Sequence, residues 1–326
     1  MRESVLVTGA TGLIGAALVR RFSSQGRRVV AAVRNTAKAE SALSALPGVE
    51  IREWDVTGPA PAGMPRTDWL VHAAADTSSR HFVERPVETA LTILRGTANA
   101  LDFARGSKVS SFVLLSTMEV YGIPSAESVT EDDYGPIDPT SVRSCYPEAK
   151  RMAESLCVSY ASEYGVPAKI ARLTQTFGEG VEYGDGRVFA EFARAIIERR
   201  DIVLKTPGGT ARCYCHIDDA ASAIETILEK GETAKPYTVA NEDTFCTVRE
   251  MAEALAAAHP ESGSSVKFDF ADAEKRGFAP PFRMKLDCSR LRALGWAPKT
   301  GLMETFDRMM ADMARRRRTA SAAGQP

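Results

Sequence analysis

A tyrosine and a lysine four residues apart, Tyr146 and Lys150, have the types and spacing of an acid/base pair. Pro147 is typical of the first turn of a helix, and a helix starting there would hold both side chains on one side. A phenol has a pKa of about 10, and a neighbouring ammonium favours the phenolate, so the pair can move a proton between an alcohol and a carbonyl. Because the spacing also occurs by chance, its meaning depends on the rest of the chain.

The N-terminal end carries a nucleotide-binding pattern. A strand predicted over residues 4–7 runs into a glycine-rich turn and then a helical pattern; the turn is Thr8-Gly9-Ala10-Thr11-Gly12-Leu13-Ile14-Gly15. Glycines let the backbone approach a pyrophosphate, and the helix N-terminus offers free N–H groups. We therefore predict a dinucleotide site, with a turn that binds no ligand as the alternative. The expected contacts are Gly9, Thr11, Gly12, Leu13 and Ile14.

The second predicted strand indicates which dinucleotide is bound. It covers residues 28–33, and Arg34 stands at its tip, where an acidic residue would bind the ribose hydroxyls of NAD. An arginine there favours the additional phosphate of NADP, and Lys38 can add a second charge. We therefore favour NADP(H), with NAD also possible and a solvent-facing arginine as the alternative. After the third predicted strand, Asp55 and Val56 are expected near the adenine.

Two more strand ends suit a ligand crevice. The fourth predicted strand ends in small residues that leave room for a ligand, Ala73, Ala74 and Ala75. The fifth delivers Thr117, whose hydroxyl can bind a substrate oxygen, and Glu119, whose carboxylate can move a proton. Serine and threonine at strand ends are also common turn formers. His72 is interpreted as a packed strand-end residue.

Composition limits the partners and the compartment. The chain has 326 residues and a formal net charge of -1, which argues against nucleic acid or an anionic membrane as the main partner. No apolar run reaches the ~20 residues of a membrane span, and the N-terminus leads into a strand instead of a signal peptide. The six cysteines are scattered, and Cys213 and Cys215 lack a second Cys/His pair that would complete a metal site. We expect a cytoplasmic protein with reduced thiols and no metal.

The order of elements predicts an α/β fold. Strands and helices alternate as far as a strand over residues 169–173, and the alternation loosens afterwards. A further helix is predicted to begin near His216 with an aspartate as its N-cap. Residues 237–241 are strand-like and are expected to rejoin the sheet.

Together the motifs resemble the extended short-chain dehydrogenase/reductase family, the NAD(P)-dependent nucleotide-sugar epimerases and dehydratases. The resemblance covers nearly all residues up to about Gly301 and implies a doubly wound, parallel Rossmann sheet with a smaller C-terminal α/β substrate-binding lobe. The motifs that carry it are Thr8–Gly15, Asp55-Val56, His72–Ala75, Ser116–Gly122, Tyr146 with Lys150, Gly209 with Arg212, and His216–Asp219. The implied division is 1–173 with 216–241 for the dinucleotide domain, 174–215 and 242–312 for the lobe, and 313–326 for a polar, basic tail.

The resemblance also implies roles for single residues. Tyr146 would be the catalytic acid/base, Lys150 would lower its pKa and hold the nicotinamide ribose, and Thr117 would be the hydroxyl partner. Arg212 matches the arginine that meets the substrate pyrophosphate. The expected substrate contacts are Gln175, Arg187, Arg212 and Arg283, the last of which is a surface arginine in the alternative interpretation. A nucleotide-sugar substrate and a homodimer packed through helices near 86–105 and 147–164 are also implied.

Departures from the family pattern leave the reaction open. Met118 stands where 4,6-dehydratases have an aspartate, which argues against plain dehydration, and Gln175 stands where many relatives have asparagine. Glu119 and residues 184–188 are also similar to nucleotide-sugar decarboxylases. The first hypothesis is an epimerase/dehydratase-type enzyme that oxidises a sugar C4 hydroxyl transiently. The alternatives are an NADPH-dependent reductase of a 4-keto nucleotide sugar, a decarboxylase, and a non-catalytic dinucleotide-binding protein.

Overall fold

The computed structural model describes residues 3–270 and 282–322. The strands are β1 Val5–Thr8, β2 Val29–Val33, β3 Val49–Glu53, β4 Trp69–His72, β5 Ser111–Thr117, β6 Ser128–Val129, β7 Ala168–Leu173, β8 Gln175–Phe177, β9 Ile202–Leu204, β10 Ala211–His216, β11 Pro236–Val239, β12 Asn241–Thr247, β13 Val266–Phe268 and β14 Arg283–Leu286. The helices are α1 Leu13–Ser24, α2 Thr36–Leu43, α3 His81–Glu84, α4 Pro86–Ser107, α5 Cys145–Tyr164, α6 Val188–Ile197, α7 Ile217–Lys230, α8 Val248–Ala258, α9 Ser289–Arg292 and α10 Leu302–Ala322. Within the described parts of the chain, no helix has both the length and the apolar character to cross a bilayer.

A seven-stranded sheet forms the larger layer of the molecule. Its strand order is β11-β7-β5-β4-β1-β2-β3, and every neighbouring pair is parallel. Helices α1 and α7 pack against one face and α4 and α5 against the other, so β1 and β2 are covered on both sides and consist of continuous buried runs. The prediction of a doubly wound parallel sheet is confirmed.

The C-terminal lobe is built on a mixed sheet. Strands β12, β10, β14 and β6 follow one another, and β8 also pairs with β10. Strand β12 is antiparallel to β10, whereas β8 and β14 are parallel to it. A separate apolar core packs α6, α8 and α10 together. The expected smaller α/β lobe is therefore present, and its strands meet the carboxyl-end side of the larger sheet through β8.

Helix α10 extends into the stretch that the resemblance assigns to a polar, basic tail. It runs through Ala322, across most of the stretch 313–326 that was assigned to a polar tail; residues 323–326 lie outside the described residues. Met309, Met310 and Met313 are buried in the core of the lobe. Because these residues recur at helical spacing, the apolar side of the helix extends past residue 312 before the basic run begins.

Two helix starts differ in how well the sequence predicts them. Helix α5 begins at Cys145 with Pro147 in its first turn, as predicted. Helix α7 has His216 as its N-cap, because the imidazole Nδ1 accepts a hydrogen bond from the Asp218 backbone N–H at 3.1 Å. The prediction of an aspartate N-cap is wrong. Asp218 and Asp219 lie in the first turn instead, where carboxylates complement the helix dipole.

Candidate active site

A cavity of ≈ 250 Å³ opens at the carboxyl ends of β1, β4, β5 and β7 and is closed on its far side by the lobe. This is where the strand order reverses, the usual ligand crevice of a doubly wound sheet. The predicted site residues that line it are Gly9, Gly12, Leu13, Ile14, Ala73, Ala75, Thr117, Glu119, Tyr146, Lys150, Gln175, Arg187 and Arg212. The predicted residues outside the lining are Thr11, Arg34, Asp55, Val56, Ala74 and Arg283.

The glycine turn brings backbone to the floor of this cavity. Gly9 has φ +64°, and a Cβ on it would lie 2.8 Å from the Cα of Ala74. A Cβ on Gly15 would lie 2.2 Å from the Gly9 carbonyl oxygen, so α1 can begin this close to β1 only with glycine there. The first turn of α1 thus presents N–H groups without intrahelical partners beside Leu13 and Ile14. This cradle fits the diphosphate of a dinucleotide.

Thr8 and His72 fix the turn to the end of β4. Thr8 Oγ1 accepts hydrogen bonds from the N–H groups of Ala73 and Ala74, both at 3.2 Å, and lies 2.9 Å from His72 Nδ1. Since both of its lone pairs are used, the hydroxyl donates to Nδ1, which assigns the ring proton to Nε2. Burial, with a smaller contribution from the Lys150 ammonium, lowers the pKa of His72 to about 3. His72 is therefore a neutral packed residue.

Acid is expected to destabilise the protein through His72. A histidine in the unfolded chain has a pKa of about 6.5, so between that pH and about 3 the unfolded state binds a proton that the folded state does not. The stability conferred by the neutral imidazole is present above pH 6.5 and is lost as the pH falls through this window. Urea unfolding should show that, between about pH 7 and pH 5, the wild type loses about 2 kcal/mol more than His72→Gln. Equal losses in the two proteins would assign the effect to another group.

Tyr146 and Lys150 lie on the first turns of α5 and are 6% and 4% exposed. Lys150 Nζ donates to the Leu115 carbonyl at 2.7 Å, its one hydrogen bond to the described residues, which leaves two donors for a ligand. Burial lowers the pKa of Lys150 to about 8, and the Glu154 carboxylate opposes this effect. Lys150 thus has two donors left for polar groups of a ligand in the cavity.

The phenol of Tyr146 is a weaker acid than the sequence analysis expects. Burial and the Glu119 carboxylate raise the pKa of Tyr146, whereas a hydrogen bond with Thr117 and the Arg143 guanidinium lower it. Desolvation is strong because the ring stacks on Phe82, with centroids 4.2 Å apart and 12° between the planes. In the protein alone, the side chain is a protonated phenol at neutral pH. Formation of the phenolate requires additional positive charge in the cavity.

Glu119 is held by an arginine that the sequence analysis does not identify. Glu119 Oε2 accepts a hydrogen bond from an Arg143 Nη at 2.8 Å, and the guanidinium carbon lies 4.6 Å from the centre of the Phe82 ring. Phe82, Thr77 and Ser79 also line the cavity and were not predicted. These residues belong to no motif. The sequence signal that could have identified Arg143 was its position three residues before Tyr146.

A buried ionic network lies behind the carboxyl end of β5. Arg172 donates through Nε and Nη2 to the Glu154 carboxylate at 3.1 and 2.8 Å, and Ser116 Oγ donates to the same carboxylate at 2.5 Å. Arg172 Nη1 also donates to the Glu131 carbonyl at 2.9 Å, and the Glu131 carboxylate accepts from the Thr238 N–H at 2.7 Å. The network therefore joins β5, α5, β7, β11 and the loop that precedes α5.

The lobe side of the cavity is cationic. Arg187 forms a bidentate pair with Asp185, with hydrogen bonds of 3.0 and 2.6 Å. The Arg212 guanidinium lies 5.0 Å from the centre of the Phe282 ring, and its Nε is buried without a hydrogen-bond partner in the described part of the chain. A buried N–H of a charged group without a partner is costly, and an anionic ligand would satisfy it. Gln175 lies in the same wall.

Three predicted residues lie on the surface or have other partners. Arg283 is exposed and stacks over Phe245, 5.3 Å from the ring centre. Arg34 is exposed directly after β2. Asp55 accepts hydrogen bonds from the N–H and hydroxyl of Thr57, and these lower the pKa of Asp55. Ligand contacts by these three residues stay predictions.

The chain is similar to UDP-glucuronic acid decarboxylases over most of its length. It is 31% identical over 315 residues to UDP-glucuronic acid decarboxylase 6 of Arabidopsis thaliana, a match that covers 94% of this chain and 88% of that protein. It is 26% identical over 321 residues to UDP-glucuronic acid decarboxylase 1 of Danio rerio, covering 96% of this chain and 73% of that protein.

Solved structures share the fold. The UDP-glucose 4-epimerase of Thermotoga maritima, with UDP-glucose, has a TM-score of 0.80 at 21% identity and covers 96% of this chain and 99% of its own. A dTDP-glucose 4,6-dehydratase double mutant of Streptomyces venezuelae, with NAD bound, has a TM-score of 0.79 at 23% identity, with 98% of both chains covered. The profile of the NAD dependent epimerase/dehydratase family matches residues 5–241. The chain therefore belongs to this family of NAD-dependent enzymes, as its motifs predicted.

Proposed function

We propose that the protein removes the carboxyl group of a nucleotide-linked uronic acid after oxidising the sugar at C4 transiently. One observation carries this proposal: Glu119 is the one carboxylate among the described residues that line the cavity, and the buried Met118 stands beside it. Elimination of water needs an acid for the leaving hydroxyl and a base for the C5 proton, whereas loss of CO2 needs no base. The similarity to UDP-glucuronic acid decarboxylases over 94% of the chain supports the same choice.

Tyr146 and Thr117 would carry out the proton transfer at the C4 hydroxyl. Both line the cavity, and the Thr117 hydroxyl lowers the pKa of Tyr146. The phenolate would form once a bound, positively charged dinucleotide adds its charge, and it would then take the proton of an O4 placed beside it. The two free donors of Lys150 and the first turn of α1 would hold the ribose and the diphosphate of the dinucleotide. When bound, the nicotinamide supplies the acceptor, and later the donor, of the hydride at C4.

The C4 ketone makes the loss of CO2 possible without a catalytic base. This ketone is β to the C6 carboxylate, so the C5–C6 bond can break with its electron pair passing to O4, which Tyr146 and Thr117 stabilise by hydrogen bonds. C5 then takes up a proton, and Glu119, ion-paired with Arg143, can orient the water that delivers it. After C4 is reduced again, O4 regains its proton from Tyr146. The sum is a uronate plus one proton giving a pentose and CO2, with no net oxidation.

The proposal is tested with UDP-glucuronate carrying a 13C label at C6 and a catalytic amount of NAD+ or, in a parallel assay, of NADP+. We expect one labelled CO2 and one UDP-pentose for each substrate consumed, and UDP-glucose as the control should release none. Reduced nicotinamide should not accumulate in proportion to product. Formation of UDP-galacturonate would instead identify an epimerase, and consumption without CO2 would reject decarboxylation.

We further propose that NADP(H) is the preferred cofactor, which leaves a keto-sugar reductase as the second candidate. The exposed Arg34 directly after β2 supports this proposal, because a guanidinium there can pair with a 2′-phosphate. Tighter binding of NADP+ than of NAD+, together with stoichiometric oxidation of NADPH by a 4-keto nucleotide sugar, would support the reductase. Tighter binding of NAD+ would contradict both the preference for NADP(H) and the reductase.

A homodimer packed through α4 and α5 is also proposed. These helices pack against each other and expose apolar side chains, Val87, Leu91, Met152 and Val158 among them. The same helix pair from a second copy would cover these side chains in a symmetric four-helix interface. Light scattering should give twice the chain mass for the wild type and less for Met152→Glu. A monomeric wild type would contradict the proposal.

A further inference from the structure

Arg143 connects two walls of the cavity without lining it. It lies in the short 3-10 helix Val142–Ser144 that leads into α5. One of its Nη groups donates to Glu119 at 2.8 Å, and its guanidinium lies over the Phe82 ring, which in turn stacks on Tyr146. Arg143 is therefore fixed next to Glu119, the one carboxylate among the described residues that line the cavity.

The other cations around the cavity have different positions or partners from those of Arg143. Arg187 is already paired with Asp185, and Arg212 lies on the lobe side with its Nε unpartnered among the described residues. Lys150 is directed at the Leu115 carbonyl on the sheet side. Arg143 is thus the cation that contacts Glu119, and without it a sugar carboxylate that approached Glu119 would meet an uncompensated negative charge.

We propose that Arg143 is a specificity-determining residue that allows the site to accept a sugar bearing a carboxylate next to Glu119. The inference rests on the proposed decarboxylation, because it assigns the recognition of the substrate carboxylate within that same site. A neutral hexose would gain little from this guanidinium, since it brings no charge to pair with it. The counter-charge should therefore act on the difference in affinity between a uronate and a hexose of the same nucleotide.

A purely structural role for Arg143 makes a different prediction. If the arginine only supports the Phe82 and Tyr146 rings, its loss would weaken both ligands equally. Arg143→Lys separates the two roles, because lysine keeps the charge and gives up the planar stack on Phe82. Glu119→Gln is the opposite variant, since it leaves the guanidinium without its carboxylate partner.

The test measures the Kd of UDP-glucuronate and of UDP-glucose by calorimetry, with whichever of NADP+ and NAD+ binds more tightly present. All variants carry Tyr146→Phe so that turnover during the titration is small. Arg143→Gln is expected to weaken UDP-glucuronate about tenfold, the order of the repulsion from Glu119 that the guanidinium offsets at a partly exposed site, and to change UDP-glucose less than about twofold. Arg143→Lys should restore most of the uronate affinity, and Glu119→Gln should tighten uronate binding.

The inference would be overturned if Arg143→Gln left the ratio of the two Kd values unchanged, whether both ligands were weakened equally or neither was affected. Melting curves of each variant show whether it is folded, and Arg143→Lys supplies the comparison if the glutamine variant is not. The CO2 assay on the wild type is scored separately. A wild type that releases no CO2, with a ratio that still depends on Arg143, would reject the proposed reaction and retain the role of Arg143. CO2 release by the wild type, with a ratio of the two Kd values that does not depend on Arg143, would retain the proposed reaction and reject the role of Arg143.

Discussion

Replacing Tyr146 by phenylalanine is expected to lower kcat by about a thousandfold, because in the proposed reaction the phenolic oxygen takes and returns the O4 proton. The ring stays, so its stack on Phe82 is retained and stability should change little. Initial rates of product formation give kcat, and fluorescence titration of the dinucleotide shows whether the cofactor is still bound. We expect the dinucleotide affinity to change by less than about threefold, since the first turn of α1 and Lys150 are untouched.

Tyr160→Phe is the matched control for this variant. Tyr160 lies on the same helix and also has a hydroxyl hydrogen bond, to Asp102 at 2.8 Å, but it lies outside the cavity lining. Its removal should leave kcat within about twofold, because no reacting atom is near it. A Tyr146→Phe enzyme that kept a tenth or more of the wild-type kcat would exclude Tyr146 as the acid/base.

Replacing Arg172 by methionine is expected to lower the free energy of unfolding by about 3–5 kcal/mol, because it leaves the Glu154 carboxylate buried without its charge partner. Arg172 is 1% exposed, and four of its side-chain hydrogen bonds go to Glu154 and the Glu131 carbonyl. Denaturant unfolding followed by circular dichroism gives the free energy. The double variant with Glu154→Leu should lose less than the sum of the single variants, since no lone charge then remains.

Arg80→Met is the matched surface control. Arg80 Nε donates to Glu84 at 2.7 Å, an arginine–glutamate pair at a similar distance, but this pair is exposed to solvent. Its loss should change the free energy of unfolding by less than about 1 kcal/mol. If Arg172→Met cost no more than Arg80→Met, burial of the network would not govern its contribution.

The sequence predicts the framework of the fold well because its signals are local. The run into the glycine turn, Pro147 in the first turn of α5 and the small residues after β4 each specify their own backbone. The parallel sheet follows from the alternation of such units. Helix α10 runs through the basic run Arg315–Arg318, and the apolar stripe on its buried side ends at Met313.

The site was predicted only where its residues form motifs. Tyr146, Lys150 and Thr117 meet in one cavity because strand ends and a helix start converge there. Arg143 and Phe82 are 61 positions apart and Glu154 and Ser116 are 38 apart, and neither contact leaves a periodic signal. The weak acidity of Tyr146 was also beyond the sequence, because the desolvation that raises its pKa comes from the Phe82 ring and the surrounding core.

The edge strand β11 has a consequence for the biosynthesis of the protein. A chain leaves the ribosome from its N-terminus, so earlier segments can begin to fold while later ones are still being made. Strand β11, Pro236–Val239, is the outer partner of β7 in the larger sheet. Its Thr238 is hydrogen-bonded through its hydroxyl to the hydroxyl of Tyr121 and through its N–H to the Glu131 carboxylate. The wall behind the catalytic strand therefore cannot close until residue 239 has emerged, when the first strands of the C-terminal lobe are already outside. The larger sheet is therefore completed only after part of the C-terminal lobe has been made, and the lobe itself is completed later, with α10.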